Sequence, residues 1–298
     1  MKFAVIDIGS NTAKTEIYKY KDGLLEMTDK KYVKRDMLAD HKDGGSLDGE
    51  GVAILIDIMR EFRAICLSNG IKRIFPYATQ SLRGIDNADD VIEAVKKETG
   101  FDIEIISGEE EARLCFEAFC GTGLKCAGVL TDMGGGSTEI SVMEGGALTR
   151  SVSIPVGSRS VVHEYGIDVM PTDEQECHIE EKIVTLARGL KSGEGGSLYA
   201  CGGTSSGMFR LYGGEGGIRK KAVSPDELYR FYKECKTDVK KAEEAAKKLT
   251  ADRYDTVYTG LLMHVFLCRA LKCDTVVHCK STCRQGYAAR LVRDGKIK

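Results

Sequence analysis

Asp7 and Asp132 each close an apolar run and open a turn of small residues, a pairing of carboxylate and open backbone that suits phosphate chemistry. The first copy reads Phe3-Ala-Val-Ile-Asp7-Ile-Gly9-Ser10-Asn11-Thr12, and the second reads Gly128-Val-Leu-Thr-Asp132-Met-Gly134-Gly135-Gly136-Ser137-Thr138-Glu139. Backbone N–H groups at Gly9, Ser10 and Asn11, and again from Gly134 through Gly135, Gly136 and Ser137 to Thr138, can approach an anion closely. A carboxylate at the end of a buried strand is costly without a cation or donors. One such Asp could simply cap its own turn. Two copies, each with Gly two residues on and a hydroxyl residue three to five on, instead suit a divalent metal shared between the carboxylates and a phosphate oxygen. Mg²⁺ fits that role, since it takes oxygen ligands and keeps some of its waters. Glu139, on the outgoing strand, shares a face with Ser137 and Ser141 and is placed to reach the same metal or orient its waters; the alternative is a solvent-facing strand residue.

A third carboxylate has a different setting. Residues 103–120 read as a strand entering a helix, with Ser107 as N-cap and Glu110 completing a capping box. Glu109 is expected in solvent, and acidic residues at the helix start suit the macrodipole. Glu111 instead lines up at helical spacing with Leu114, Cys115 and Ala118, an apolar stripe facing the interior. A carboxylate there is expected to face a cleft and to gain proton affinity, as a general base requires.

These residues need an α/β framework to hold them. Strand patterns at 3–8, 13–20, 71–77 and 103–106 alternate with helical ones at about 50–69, 88–98 and 109–120. A second run has strands near 127–132, 138–143, 147–154 and 197–201, then helices near 157–165, 172–190, 225–235, 238–248 and 252–271. Strand 274–278 and helix 284–293 close it. Because the strand-turn-strand pattern opens each half, two domains of related architecture with a cleft between them are expected. The boundary is set at residues 120–126, giving domains 1–122 and 123–298, with the last helix a candidate to pack back on the first. Gly-rich stretches at 41–51, 189–196 and 213–217 read as surface loops.

Composition narrows the function classes. The 298 residues are 42% hydrophobic and 30% charged, ordinary for a globular protein, and exceed what one core usually serves. A net charge of −2 gives no general attraction to nucleic acid or anionic membrane, so neither is expected as a partner. Met1-Lys2 leads straight into a strand and no apolar run is long enough to span a bilayer, which points to the cytoplasm and to reduced thiols for the eleven cysteines. His278 with Cys273, Cys279 and Cys283 lacks a Cys-x-x-Cys pair, so core packing is preferred there over zinc. Basic runs such as Lys30-Lys31 and Arg219-Lys220-Lys221 read as solvated faces before they read as a guide for a polyanion.

Five motifs together carry a family resemblance. Ala4-Val-Ile-Asp7-Ile-Gly-Ser-Asn11, Ala78-Thr79-Gln-Ser-Leu-Arg83-Gly-Ile-Asp-Asn87, Ile106-Ser-Gly-Glu-Glu-Glu111-Ala-Arg, Asp132-Met-Gly-Gly-Gly-Ser-Thr-Glu139 and Pro155-Val-Gly157 follow one another over the first 160 residues or so. The chain resembles the exopolyphosphatase / guanosine pentaphosphate phosphohydrolase (Ppx/GppA) family of the actin, sugar-kinase and Hsp70 superfamily. The resemblance implies two actin-like (ribonuclease H-like) α/β domains with a phosphate-binding cleft between them. It implies Glu111 as catalytic base, Asp7, Asp132 and Glu139 as organisers of Mg²⁺ or another divalent cation, and Gly9–Asn11 with Gly134–Thr138 as phosphate cradles. Arg83 is implied as a phosphate-contacting cation, and polyphosphate or a guanosine polyphosphate as substrate, leaving a homodimer open.

The second half matches the pattern less closely. Arg284-Gln285-Gly286 stands where the family usually has Arg-Glu-Gly, and Cys279 and Thr282 replace a preceding Ser and Gly, which puts any family contact there in doubt. Tyr199-Ala-Cys-Gly202-Gly203-Thr204 resembles a superfamily motif that approaches a nucleotide, or is simply a tight strand-to-helix turn. Longer relatives continue past this chain's end into further helical domains, which suggests a preference here for shorter substrates. Rival readings are an ATP-using small-molecule kinase and a non-catalytic sensor of polyphosphate or guanosine tetraphosphate.

Overall fold

Each apolar run that ends in aspartate forms the central strand of a sheet. In the computed structural model, which describes residues 1–10, 12–34, 41–42, 45–123, 127–190, 196–218 and 220–298, the first run is β1 (Lys2–Ile8). It pairs antiparallel with β2 (Thr12–Lys21), which pairs antiparallel with β3 (Leu24–Lys34). A two-stranded hairpin follows, β4 (His41–Lys42) with β5 (Ser46–Leu47). Helix α1 (Gly49–Ser68) leads to β6 (Ile74–Ala78), and α2 (Gln80–Arg83) with α3 (Ala88–Thr99) to β7 (Glu104–Ile105), ahead of α4 (Gly108–Cys120). β6 runs parallel to β1 and β7 parallel to β6, so the order is β3-β2-β1-β6-β7.

The second run repeats the plan. β8 (Gly128–Met133), β9 (Thr138–Glu144) and β10 (Ala147–Ile154) form an antiparallel meander. Helices α5 (Ser158–Tyr165) and α6 (Asp173–Leu186) precede β11 (Gly196–Cys201), which lies parallel to β8. Then come α7 (Gly202–Gly213), β12 (Ala222–Val223), α8 (Pro225–Lys236), α9 (Val239–Leu249), α10 (Val257–Ala270) and β13 (Cys273–His278). The order β10-β9-β8-β11-β13-β12 shares with the first sheet an antiparallel meander on one side of the aspartate strand and two parallel strands on the other, here β11 and β13, with β12 added antiparallel at the edge.

The chain forms two units: Met1–Leu114 with Cys283–Lys298, and Cys115–Thr282. The division thus falls inside α4 rather than after residue 122. Helix α11 (Cys283–Arg293) belongs to the first unit, so no single cut of the chain separates the two.

Each sheet is held by helices whose apolar spacing suits it. Asp48 caps α1 by accepting from the Gly51 amide at 2.9 Å, and Leu55, Ile58, Met59, Phe62 and Cys66 recur at helical spacing and are buried. The first four pack with Ile6, Ile8, Val91 and Val95 into the first core, and Cys66 packs with Ala4, Ile17 and Ile71. α10 is buried from Val257 to Cys268, as expected of a helix apolar all round, and centres the second core with Val129, Leu198 and Ile183.

Several elements depart from the sequence reading. β3 was not expected, because Leu24–Lys34 is rich in Lys, Asp and Glu; those charges suit an edge strand, where they discourage further pairing. The stretch 41–51, expected as loop, contains the β4–β5 hairpin and the start of α1. The loop expected at 189–196 lies largely outside the described residues. Short α2 and the glycine-opened α7 carried no clear apolar period, and part of 213–217 is a 3₁₀ turn.

Gly286 has a packing reason. A Cβ on it would lie 2.0 Å from the Leu114 carbonyl oxygen, so α11 rests directly on the backbone of α4. Gly286→Ala is expected to cost about 1–3 kcal/mol through overpacking, seen as a lower midpoint in urea unfolding.

Candidate active site

Asp132 is the middle residue of a row that crosses the second sheet. It lies opposite Glu139 on β9 and beside Cys201 on β11, and residues so paired present their side chains to the same face of the sheet. Glu139 is 3% exposed, and Ser153, its partner on β10, donates its hydroxyl to Oε1 at 2.7 Å. The Cys115 thiol, from α4, donates to Asp132 Oδ2 at 3.2 Å. On the other side, Gly202 has φ +84°, and a Cβ there would lie 2.0 Å from Asp132 Oδ1. Only glycine both takes this conformation without strain and lets the carboxylate in.

Gly202 and Gly203 therefore have structural roles. The side-chain direction of Gly203 is filled by the Arg253 guanidinium, whose Nη2 would be 2.7 Å from a Cβ, and Gly207 faces the Arg253 Cδ at 2.5 Å. Arg253 is buried and donates to Asp252 at 2.7 Å.

The two aspartate turns close alike. Gly9 N–H donates to the Thr12 carbonyl at 3.2 Å, and Gly134 N–H to the Ser137 carbonyl at 2.9 Å, two and five residues after each aspartate. The second turn is also fixed through its carbonyls: Gly134 O accepts from Ser158 N, and Gly135 O from Arg159 N and Ser160 N, at the start of α5. Gly157 allows this, since a Cβ there would meet Gly135 C at 2.4 Å, which explains the glycine of Pro155-Val-Gly157. Among the described residues, the amides of Gly135, Gly136 and Ser137 do not donate to backbone carbonyls of turns or caps, which leaves them as candidate anion donors. Ser10 and Ser137 are buried beside these turns. Thr138 differs, because its hydroxyl donates to Val156 O at 2.6 Å and its backbone pairs with Met133. Asn11 lies outside the described residues.

In the first sheet the corresponding row is Lys14, Asp7 and Tyr77, so a second acidic residue is not repeated there. Asp7 is instead held by Arg284 of α11, whose Nη1 donates to Oδ2 at 2.7 Å. The same guanidinium reaches Glu16 Oε1 through Nε at 2.8 Å, and the Tyr18 hydroxyl donates to the other Glu16 oxygen. Arg284 is the residue that sequence reasoning missed: the Arg-Gln-Gly motif signalled its position, but its partners lie more than 260 residues away.

Glu111 is buried, as its helical face predicted, and it has a counter-ion. Arg83 Nη1 donates to Glu111 Oε2 at 3.2 Å and to Ile106 O at 2.8 Å. Arg83 Nη2 is buried without a hydrogen-bond partner among the described residues. A guanidinium presents several donors in one plane, so it can hold a carboxylate and still offer N–H groups to phosphate oxygens. Ser107 caps α4 through the Glu110 amide at 3.1 Å, but the Glu110 carboxylate is held by Arg113 at 2.7 Å and Arg290 at 3.0 Å. Glu109 is exposed.

The ten described cysteines are free thiols. A hydrogen bond with Cys115 acts to lower the Cys201 thiol, yet burial and the nearby Asp132 charge push it up to about 12.

A carboxylate pair on one sheet face of the second unit, and an aspartate-to-glycine strand plan repeated in both units, are the marks of an actin-like α/β fold. The chain belongs to the Ppx/GppA phosphatase family, whose profile it matches over residues 17–294, and it is accordingly a phosphohydrolase. It is 28% identical to exopolyphosphatase 1 of Mycobacterium tuberculosis, over 97% of this chain and 88% of that one. It is 24% identical to a guanosine-5′-triphosphate,3′-diphosphate pyrophosphatase of Vibrio atlanticus, over 97% of this chain and 59% of that longer one. Among solved structures, an exopolyphosphatase from Cytophaga hutchinsonii shares the fold with a TM-score of 0.83 at 16% identity, covering 99% of this chain and 98% of that one. A family member from Aquifex aeolicus gives 0.80 at 21%, covering 100% and 99%.

The pairing of Glu16 makes the first unit sensitive to acid. Burial alone would raise Glu16, but Arg284 and the Tyr18 hydroxyl outweigh it and hold the carboxyl below its usual range. Glu110 is lowered in the same way by Arg113 and Arg290. With the folded value below the unfolded one, this stability is complete above about pH 4–5 and is lost as pH falls through the depressed values. Wild type should thus lose stability on acidification across that window, and Glu16→Gln should be less stable at neutral pH with a flatter acid limb, read by urea unfolding at successive pH values.

Proposed function

We propose that the enzyme removes the terminal phosphate from inorganic polyphosphate or from guanosine pentaphosphate, with Glu111 as general base and Mg²⁺ or another divalent cation as cofactor. The names of its relatives motivate the substrates. The observation that carries the reading is Glu111, a buried carboxylate held by an arginine that has a further N–H group available.

In this reading Glu111 takes a proton from water, and the water oxygen attacks the terminal phosphorus in line with the anhydride oxygen. The P–O bond to that bridging oxygen breaks, giving orthophosphate and a chain one phosphate shorter. Arg83 holds Glu111 and meets an equatorial phosphoryl oxygen. Amides of Ser10 and of Gly135, Gly136 and Ser137, which do not donate to turn carbonyls among the described residues, receive other oxygens of the chain. The fit of Asp132 and Glu139 to a hard divalent cation rests on their oxygen donors and shared sheet face. Asp7, whose Oδ2 accepts from Arg284, is the further carboxylate that the family resemblance assigns to the cation. Such a cation would neutralise charge on the phosphoryl oxygens.

The kinase alternative needs an adenosine pocket around Gly202 and Gly203. Asp132 and Arg253 fill the space beside these glycines, which favours hydrolysis. A sensor would gain nothing from a base aimed at the terminal phosphate. Among the described residues no helix is long and apolar enough to cross a membrane.

Glu111→Gln should keep polyphosphate binding and lose about 10²–10⁴-fold in turnover, the span of a general base. Binding by equilibrium titration and rate by phosphate release separate the two effects. Near-normal turnover would remove Glu111 from the role.

A further inference from the structure

The row of Glu139, Asp132 and Cys201 also contributes to a second set of donors, completed by Cys115 of α4. Cys115 Sγ, Cys201 Sγ and an Asp132 carboxylate oxygen lie within 4.8 Å of one another. They come from three separate elements: α4, the end of β8 and the end of β11. Cys115 is 2% exposed and Cys201 fully buried. Each thiol already points at an oxygen, Cys115 at Asp132 and Cys201 at the Thr131 carbonyl at 3.1 Å. Asp132 is further confined by the close approach of Gly202.

We propose that Cys115, Cys201 and Asp132 form a binding site for a soft divalent metal of the zinc and cadmium class. Two sulfurs and one oxygen are a poor donor set for Mg²⁺, which takes oxygen ligands, and a good one for zinc, which accepts mixed sulfur and oxygen ligands in tetrahedral geometry. Three protein donors leave the fourth position to water. Uptake releases the two thiol protons to solvent and replaces both thiol hydrogen bonds with metal–sulfur bonds. The site is distinct from the proposed hard-cation site at Asp132 and Glu139 but shares Asp132 with it. Soft metal would thus compete for Asp132 and inhibit the hydrolase, a consequence that rests on the proposed function.

The test reads the metal itself and is independent of activity. Cadmium added to the full-length, reduced protein in the presence of Mg²⁺ should give thiolate-to-cadmium ultraviolet absorption that saturates at one equivalent. Cys115→Ser and Cys201→Ser should each lose most of that absorption, whereas Cys120→Ser and Cys177→Ser, at exposed positions, should keep it. Because a buried Cys→Ser variant can fail to fold, X-ray absorption on wild type with one equivalent of zinc supplies the second reading. It should find two sulfur neighbours at about 2.3 Å, with oxygen completing the shell. An oxygen- and nitrogen-only shell, or cadmium absorption unchanged in folded Cys115→Ser and Cys201→Ser, would overturn the site.

Discussion

A carboxylate at the carboxyl end of a central strand has to be compensated, and much of what surrounds the proposed site serves that requirement. In the first unit the compensation is a cation: Arg284 holds Asp7 at 2.7 Å and Glu16 at 2.8 Å. In the second it is close contact with small or polar groups, as Asp132 meets the Cys115 thiol and the Cβ-free face of Gly202. Glu139, opposite Asp132, is satisfied in part by Ser153. Such partners hold a buried carboxylate in place without removing its ability to bind a further cation.

The two units keep one backbone plan and differ in the chemistry mounted on it. Their turns close with the same Gly-to-hydroxyl-residue hydrogen bond, and both central strands have antiparallel neighbours on one side and parallel ones on the other. The row across the sheet reads Lys14, Asp7 and Tyr77 in one unit and Glu139, Asp132 and Cys201 in the other. The acidic pair that suits a metal thus belongs to the second unit, while the proposed base, Glu111, sits with Arg83 in the first.

The site was legible where local pattern sets geometry. Apolar runs ending in aspartate and the position of glycine located both aspartates and their turns, and helical spacing singled out Glu111 as buried. The family itself could be read from five short motifs, and the profile match agrees with it. What could not be read were partners brought together by tertiary structure. Arg284 and Asp7 are 277 residues apart, and Ser153 meets Glu139 only through strand register. The glycines of the second half illustrate the same limit: Gly202, Gly203 and Gly286 each exist for a close approach by a distant group. Charge-rich β3 was hidden for a different reason, because an edge strand need not alternate clearly between apolar and polar residues.

Phosphate release from inorganic polyphosphate and from guanosine pentaphosphate, measured side by side with Mg²⁺ and with a chelator in excess, tests the central claim most directly. Release from at least one of them with Mg²⁺, and its loss on chelation, is the expected result. Release from neither substrate with Mg²⁺, or release that persists undiminished in the chelator, would contradict it.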